Sequence, residues 1–149
     1  MANAEQLAAE MHAFYPRYID SFNGDDQSAY AANFSFPCVL LGGKQAVSVV
    51  NDAATWVTMM ANTKAIMRSK GWARTGIEKT YAWPTAPDMG LLMADFLRYR
   101  GDGSVLMRGR ACYTLRREGD RLKIIAMMEV APPMFGPGAV PRPEQGAER

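Results

Sequence analysis

One carboxylate, Asp95, stands out because the pattern of its strand places it on an apolar face. The sequence Arg-Gly-Asp-Gly-Ser at residues 100–104 predicts a three-residue hairpin loop, with its first and last residues opposite each other. With that pairing, one face of the hairpin is mostly apolar. It comprises Met93, Asp95, Leu97, Tyr99, Val105, Met107, Gly109, Ala111, Tyr113 and Leu115. We expect this face to pack on helices, where a carboxylate is costly unless it is paired or protonated, so Asp95 is the candidate general base of an enzyme.

Asp95 has a second interpretation, as a structural carboxylate without a chemical role. A turn near Ala86 places Lys79 on the same face, whereas a register shifted by one residue places Glu78 and Thr80 there instead. Lys79, a tyrosine or an arginine from the helical layer could then pair with Asp95. The other face of the hairpin is expected to point outward or toward a partner. Its arginines are Arg98, Arg100, Arg108 and Arg110. The sequence leaves both interpretations of Asp95 open.

Aromatic and methionine side chains are the candidates to contact a ligand if a cavity lies under this face. Eleven of the 149 residues are methionine, which adapts to irregular apolar shapes. The candidate ligand-binding residues are Tyr113, Tyr99, Lys79, Trp56, Met60, Met93 and Met107. Each of them also has the ordinary interpretation of a core or solvated side chain.

Composition is typical of a globular protein with one domain. Of the 149 residues, 48% are apolar and 21% charged, and the net charge is +2. This charge does not indicate nucleic-acid binding, and no apolar run is long enough to cross a membrane. Two cysteines and one histidine without a CxxC motif do not make a zinc site, and no cofactor fingerprint is visible. We expect a cytoplasmic protein without metal or cofactor, whose partner is a small apolar or aromatic molecule.

Periodicity predicts three helices. Apolar residues at helical spacing predict a first helix over residues 4–22, in which Pro16 should produce a kink or a local break. Gly24 can take the left-handed conformation at its end. Aspartates at 25–26 and at 52 can cap a short second helix and a third.

The rest of the chain is predicted to form β-sheet. The β-prone runs cover residues 36–41, 46–50, 73–83, 89–100, 104–116 and 121–130. A glycine turn at residues 42–44 joins the first two runs, and the last four are too closely spaced for parallel crossovers. We therefore expect an α+β fold in which three N-terminal helices pack on a strongly curved antiparallel sheet.

A change in composition marks the end of the sheet. Residues 132–149 are rich in proline and glycine, so we expect a single domain over residues 1–131 followed by a tail. Met134 and Phe135 of this tail could close the mouth of a cavity.

Several segments together resemble one known superfamily. They are the end of the first helix and the following turn at 18–26, the strand at 36–41, and the late strands at 96–104 and 113–126. These resemble the nuclear transport factor 2-like superfamily, which includes ketosteroid-isomerase-like enzymes and has the cystatin-like cone fold. The resemblance covers residues 4–130 and implies a cone-shaped cavity and a homodimer through the outer face of the sheet.

The resemblance also implies roles for individual residues. Tyr18 falls where the similar ketosteroid isomerases place a tyrosine that stabilises an oxyanion. Of their two catalytic carboxylates, one falls near Val39 or Leu40 and the other near Ala111 or Cys112. None of these positions holds a carboxylate here, so Asp95 remains the acid/base candidate.

Two functions follow, from different classes of protein. The first is a cofactor-independent isomerase or lyase, including dehydration or carbon–carbon cleavage, on an aromatic or polycyclic molecule. In it Asp95 is the base, Tyr18 is the oxyanion donor, and Tyr99 and Tyr113 orient the ligand. The alternative is a non-catalytic ligand-binding or assembly module of the same fold, because this fold hosts many activities.

Overall fold

Three helices and a curved six-stranded sheet make up the described part of the chain. The computed structural model describes residues 3–42 and 47–130. The elements in chain order are α1 (Ala4–Asn23), α2 (Gln27–Ala31), β1 (Phe34–Leu41), β2 (Ser48–Val50), α3 (Ala53–Ser69), β3 (Arg74–Ala86), β4 (Met89–Tyr99), β5 (Val105–Glu118) and β6 (Arg121–Val130). The predicted α+β class is therefore confirmed.

Helix α1 is defined by a capping box and an apolar stripe. The Asn3 side chain accepts a hydrogen bond from the Gln6 backbone N–H at 2.8 Å, and the Gln6 side chain accepts one from the Asn3 N–H. The buried stripe includes Leu7, Met11, Phe14, Tyr18 and Phe22. The helix continues through Pro16, so a break there is a wrong expectation. Gly24 is extended, with φ −79° and ψ 174°, rather than left-handed as expected.

A buried lysine connects α3 to the end of α1. Asp26 and Asp52 cap α2 and α3, as predicted. Lys64 of α3 is fully buried, and its ammonium donates to the Gly24 carbonyl at 3.0 Å. The same ammonium lies 4.9 Å from the centre of the Phe22 ring, a cation–π contact, and burial lowers the pKa of this lysine. This contact fixes α3 relative to α1.

The strands pair in the order β2-β1-β6-β5-β4-β3. Strands β3 to β6 form the predicted antiparallel meander, and β1 pairs with β2 in antiparallel orientation. Strand β1 also pairs with β6 in parallel orientation, which the sequence did not predict. The predicted glycine turn falls mostly on residues 43–46, which lie outside the described residues.

The register of β4 against β5 shifts by one residue close to the hairpin turn. The turn forms as predicted, with Gly103 in the left-handed region at φ +86°. Next to it Tyr99 pairs with Val105, but Arg98 pairs with Met107. Strand β5 therefore contains one residue more than β4 at this point, which is a β-bulge.

This bulge reverses the predicted faces of β4, because side chains alternate between the two faces of a strand. The β4 residues that face the helices are Gly90, Leu92, Ala94, Phe96 and Arg98, across from Gly109, Ala111, Tyr113 and Leu115 of β5. Met93, Asp95 and Leu97 lie on the outer face instead. The expectation that Asp95 faces the helices is therefore wrong, and so is the expectation that Arg98 points outward.

Two predicted features fall outside these elements. The tail at 132–149, with Met134 and Phe135, lies outside the described residues. Within the described ranges, no helix is both long and apolar enough to cross a membrane.

Homodimerisation through the outer face of the sheet stays a prediction. This face carries apolar side chains, including Met128, which is 44% exposed. A second copy packed on it would bury this surface, and we expect light scattering to give twice the chain mass of 16.4 kDa. The variant Met128→Glu should shift the equilibrium toward monomer, because a charge would then lie in the interface. Ile66→Glu, at an exposed position on α3, should not. A wild-type monomer at micromolar concentration would contradict this expectation.

Candidate functional site

A cavity of about 230 Å³ lies between the helices and the inner face of the sheet. Its described walls are Tyr15, Tyr18, Ile19, Phe22, Tyr30, Met60, Thr63, Met67, Thr75, Phe96, Arg98, Ala111, Tyr113 and Met127. Most of these side chains are aromatic or methionine, and one of them, Arg98, is charged. Thr63 is exposed, so the cavity reaches the protein surface beside α3.

Four tyrosines form one wall of the cavity. The ring centre of Tyr113 lies 5.6 Å from that of Tyr15 and 5.4 Å from that of Tyr18. The hydroxyls of Tyr18 and Tyr30 are hydrogen-bonded at 2.9 Å, whereas those of Tyr15 and Tyr113 are 3.4 Å apart, a weak contact. Burial raises the pKa of each of these phenols. At neutral pH all four are protonated and can donate a hydrogen bond.

The part of the wall that β4 forms depends on a glycine. Phe96 of β4 pairs with Gly109 of β5, and the Phe96 ring lies where a Cβ of residue 109 would be. A larger residue at 109 would displace this ring, so the glycine permits the aromatic wall. The Arg98 guanidinium lies 5.2 Å from the centre of the same ring.

Arg98 enters the cavity wall without a carboxylate partner among the described residues. Its Nη1 contacts the sulfur of Met107 at 3.8 Å, and its buried Nε has no hydrogen-bond acceptor there. Desolvation lowers the pKa of Arg98, while the nearby phenols of Tyr113, Tyr15 and Tyr18 act in the opposite direction. Because arginine starts from a very high pKa, the guanidinium is charged at neutral pH.

Three of the predicted site residues line the cavity and one lies just behind it. Tyr18, Tyr113 and Met60 are in the wall. Trp56 is buried in the core and packs on Phe34, with ring centres 4.9 Å apart. The structure therefore brings together the α1 tyrosine, the β5 tyrosine and the α3 methionine.

The other four predicted ligand-binding residues lie outside the described cavity wall. Met93 is on the outer face, Lys79 is directly opposite Asp95 there, and the Tyr99 ring stacks on Arg74 at 4.0 Å. Met107 is 40% exposed near the end of β5 and is not part of the described cavity wall. The expectation that these four side chains line the cavity is wrong.

Asp95 forms an ion pair on the outer face. The Nε of Arg110 donates to its Oδ1 at 2.5 Å, and Nη2 of the same guanidinium donates to Oδ2 at 2.9 Å. The Tyr81 hydroxyl lies 3.4 Å from Oδ2. The hydrogen bond that Arg110 donates to Asp95 raises the pKa of Arg110. In this position the carboxylate cannot reach a ligand in the cavity, because the sheet separates them.

Arg98, Phe96 and Thr75 are among the wall residues that sequence reasoning missed. A signal was present for the two on β4, because Phe96 and Arg98 are in phase with Leu92 and Ala94, and small or apolar residues at alternate positions are typical of an inner face. The alternate positions of β4 hold larger apolar residues, such as Met93, and these favoured the wrong face as the inner one.

The fold and the cavity together define the class of protein. Helices packed on a curved sheet around an apolar cavity are the architecture of the NTF2-like, cystatin-like fold, as the resemblance implied. The sequence matches the family described as NTF2-like protein (DUF6841) over residues 8–132, and the chain belongs to that family. No curated protein is significantly similar to it in sequence.

Several solved structures share this fold. A protein of unknown function from Nostoc punctiforme, with a cystatin-like fold, is 12% identical with a TM-score of 0.65, over 85% of this chain and 91% of that one. An NTF2-like protein of unknown function from Pseudomonas putida is 16% identical with a TM-score of 0.65, over 88% and 90%. A ketosteroid isomerase-like protein from Erwinia carotovora atroseptica is 15% identical with a TM-score of 0.60, over 84% and 97%. At these identities the likeness shows the fold alone.

The ion pair on the outer face should matter for stability. Asp95→Asn removes the charged acceptor of Arg110, whose side chain is only 5% exposed. We expect the free energy of unfolding in urea to fall by about 2–4 kcal/mol, because a buried guanidinium loses its carboxylate. The double variant Asp95→Leu/Arg110→Met should recover much of this loss, since it replaces both charges. A loss below about 0.5 kcal/mol in Asp95→Asn would contradict this account.

His12 should make stability depend on pH. Its Nδ1 lies 2.6 Å from the Thr80 hydroxyl, its Nε2 is buried, and the side chain is half-buried against β3. Burial lowers the pKa of His12 below its ordinary value of 6.5. The folded state therefore binds its proton less readily than the unfolded chain, and stability is lost as the pH falls below 6.5.

The variant His12→Gln isolates this contribution. We expect the melting temperature of wild type to fall relative to that of the variant as the pH decreases from neutral toward 5. Melting temperatures of the two proteins that change in parallel with pH would contradict this role of His12.

Proposed function

We propose that the protein binds a small aromatic molecule in the cavity between α1, α3 and the sheet. The observation that carries this proposal is the lining of the cavity, in which aromatic rings and methionines surround a few polar groups. Binding sites for small molecules typically combine an apolar wall with a few placed polar groups. The proposal corresponds to the ligand-binding alternative rather than to the acid/base enzyme.

The volume of the cavity limits the size of the ligand. A cavity of roughly 150 Å³ is enough to bind benzene. The volume of about 230 Å³ therefore suits a single ring with one or two substituents better than the polycyclic molecule that the sequence suggested.

The wall supports recognition of a flat ring. Tyr18 and Tyr113 meet edge to face at an interplanar angle of 70°, so a bound ring can contact the face of one and the edge of the other. Met60, Met67 and Met127 supply flexible apolar contacts that adapt to substituents.

Asp95 does not support proton abstraction in this cavity, because its carboxylate is on the other face of the sheet. The Tyr18 hydroxyl can donate to a ligand oxygen, but it already contacts the Tyr30 hydroxyl at 2.9 Å. Two hydroxyls in a pair leave one hydrogen for a ligand, which suits positioning of a polar substituent. These contacts support binding and orientation.

Calorimetric titration with four probes of one size tests the proposal. The probes are toluene, 4-methylphenol, 4-methylbenzamide and 4-methylbenzoate. We expect at least one to bind with a dissociation constant of about 1 mM or tighter, because each buries its ring in the apolar wall. Binding of none of the four would contradict the proposal.

Two variants test whether the probe binds in the cavity. Ala111→Phe fills the cavity from β5, and Thr63→Trp blocks its mouth from α3, so both should abolish binding. Thr58→Trp is the matched control, because Thr58 is exposed on the same helix and outside the cavity wall. Binding that survives in Ala111→Phe and Thr63→Trp, with the fold intact by circular dichroism, would show that the probe binds elsewhere.

A further inference from the structure

Arg98 is half-buried, and its partners differ from those of the buried Arg110 on the other face of the β4–β5 hairpin. Arg110, on the outer face, forms two hydrogen bonds with the Asp95 carboxylate. Arg98, on the inner face, contacts the ring of Phe96 and the sulfur of Met107. Neither of these contacts supplies the negative charge that a desolvated guanidinium favours.

The Nε–H of Arg98 is the most specific feature. This group is buried and has no acceptor among the described residues. Leaving a buried donor unsatisfied costs about 1–3 kcal/mol, and more when the donor is charged. An acceptor carried by a ligand would remove this cost once the guanidinium turns its Nε–H toward the cavity.

The tyrosines extend the acceptor-binding region. Tyr15 and Tyr113 line the same cavity, and their hydroxyls are 3.4 Å apart, so their mutual hydrogen bond is weak. Their protonated phenols can turn a hydrogen toward a ligand oxygen at little cost. One guanidinium and two hydroxyl donors match a group that has one negative charge and two oxygens.

We propose that Arg98 binds the carboxylate of a single-ring aromatic acid, and that this anion selects the ligand of the cavity. The inference rests on the proposed function, since it names the class of molecule that the cavity binds. A carboxylate fits the planar guanidinium through two parallel hydrogen bonds. A phosphate dianion fits less well, because the described wall offers a single positive charge to balance two negative ones.

Comparison of 4-methylbenzoate with 4-methylbenzamide tests the inference, because the two molecules have the same shape and differ in charge. We expect wild type to bind the acid about tenfold tighter or more, since the bond from Arg98 to a charged acceptor exceeds the bond to a neutral one. In Arg98→Met the ratio of the two dissociation constants should fall to about one, while the amide still binds.

Two further variants keep the result interpretable. Arg108→Met is the matched control, because Arg108 lies on the outer face of β5 with its side chain 60% exposed, 3.0 Å from Glu78, and it should leave the ratio unchanged. Arg98→Lys keeps the charge without the planar guanidinium and should give an intermediate ratio.

The outcomes separate this inference from the proposed function. Equal affinities for acid and amide in wild type would overturn the role of Arg98 while leaving the cavity as a binding site. If none of the probes binds, both the proposed function and this inference fail. If Arg98→Met loses both ligands with its fold intact by circular dichroism, Arg98 shapes the wall and does not select the charge, which also overturns the inference.

Discussion

A one-residue bulge in the β4–β5 hairpin determines what the cavity contains. Because side chains alternate along a strand, the extra residue of β5 fixes which phase of β4 faces the helices. Phe96 and Arg98 turn inward, and Asp95 turns outward. With the bulge absent, the cavity would hold a carboxylate and lack its cation. The chemistry of the wall therefore follows from backbone pairing rather than from the residue types of the strand alone.

The two faces of the sheet differ in how their arginines are paired. On the outer face Arg110 and Asp95 neutralise each other within hydrogen-bond distance, so this pair stabilises the fold and has little left to offer a ligand. On the inner face Arg98 lies among phenols, a phenyl ring and methionines, where no described carboxylate neutralises it. Arg98 is therefore the positive charge that the described wall of the cavity offers to an anion.

The sequence predicted the helices, the long strands and the family resemblance well, because these depend on local features. Apolar spacing, the aspartate caps of α2 and α3, and Gly103 in its turn all appear where they were expected. The site was predicted only in part: Tyr18, Tyr113 and Met60 line the cavity, because two lie on α1 or α3 and one on β5, whose phase was correct. Asp95 and Arg98 were predicted on the wrong faces of β4. A one-residue bulge exchanges the two faces of a strand, because side chains alternate between them, and it leaves little trace in the amino-acid composition. The parallel pairing of β1 with β6 was missed because it joins segments that are far apart in the chain.

A crystal structure of the protein with 4-methylbenzoate tests the central claim most directly. The account predicts the ring in contact with Tyr18 and Tyr113 and both carboxylate oxygens within hydrogen-bond distance of the Arg98 guanidinium. A ligand bound on the outer face beside Asp95 and Arg110 would contradict it. So would a ligand in the cavity whose carboxylate points away from Arg98 toward the mouth at Thr63.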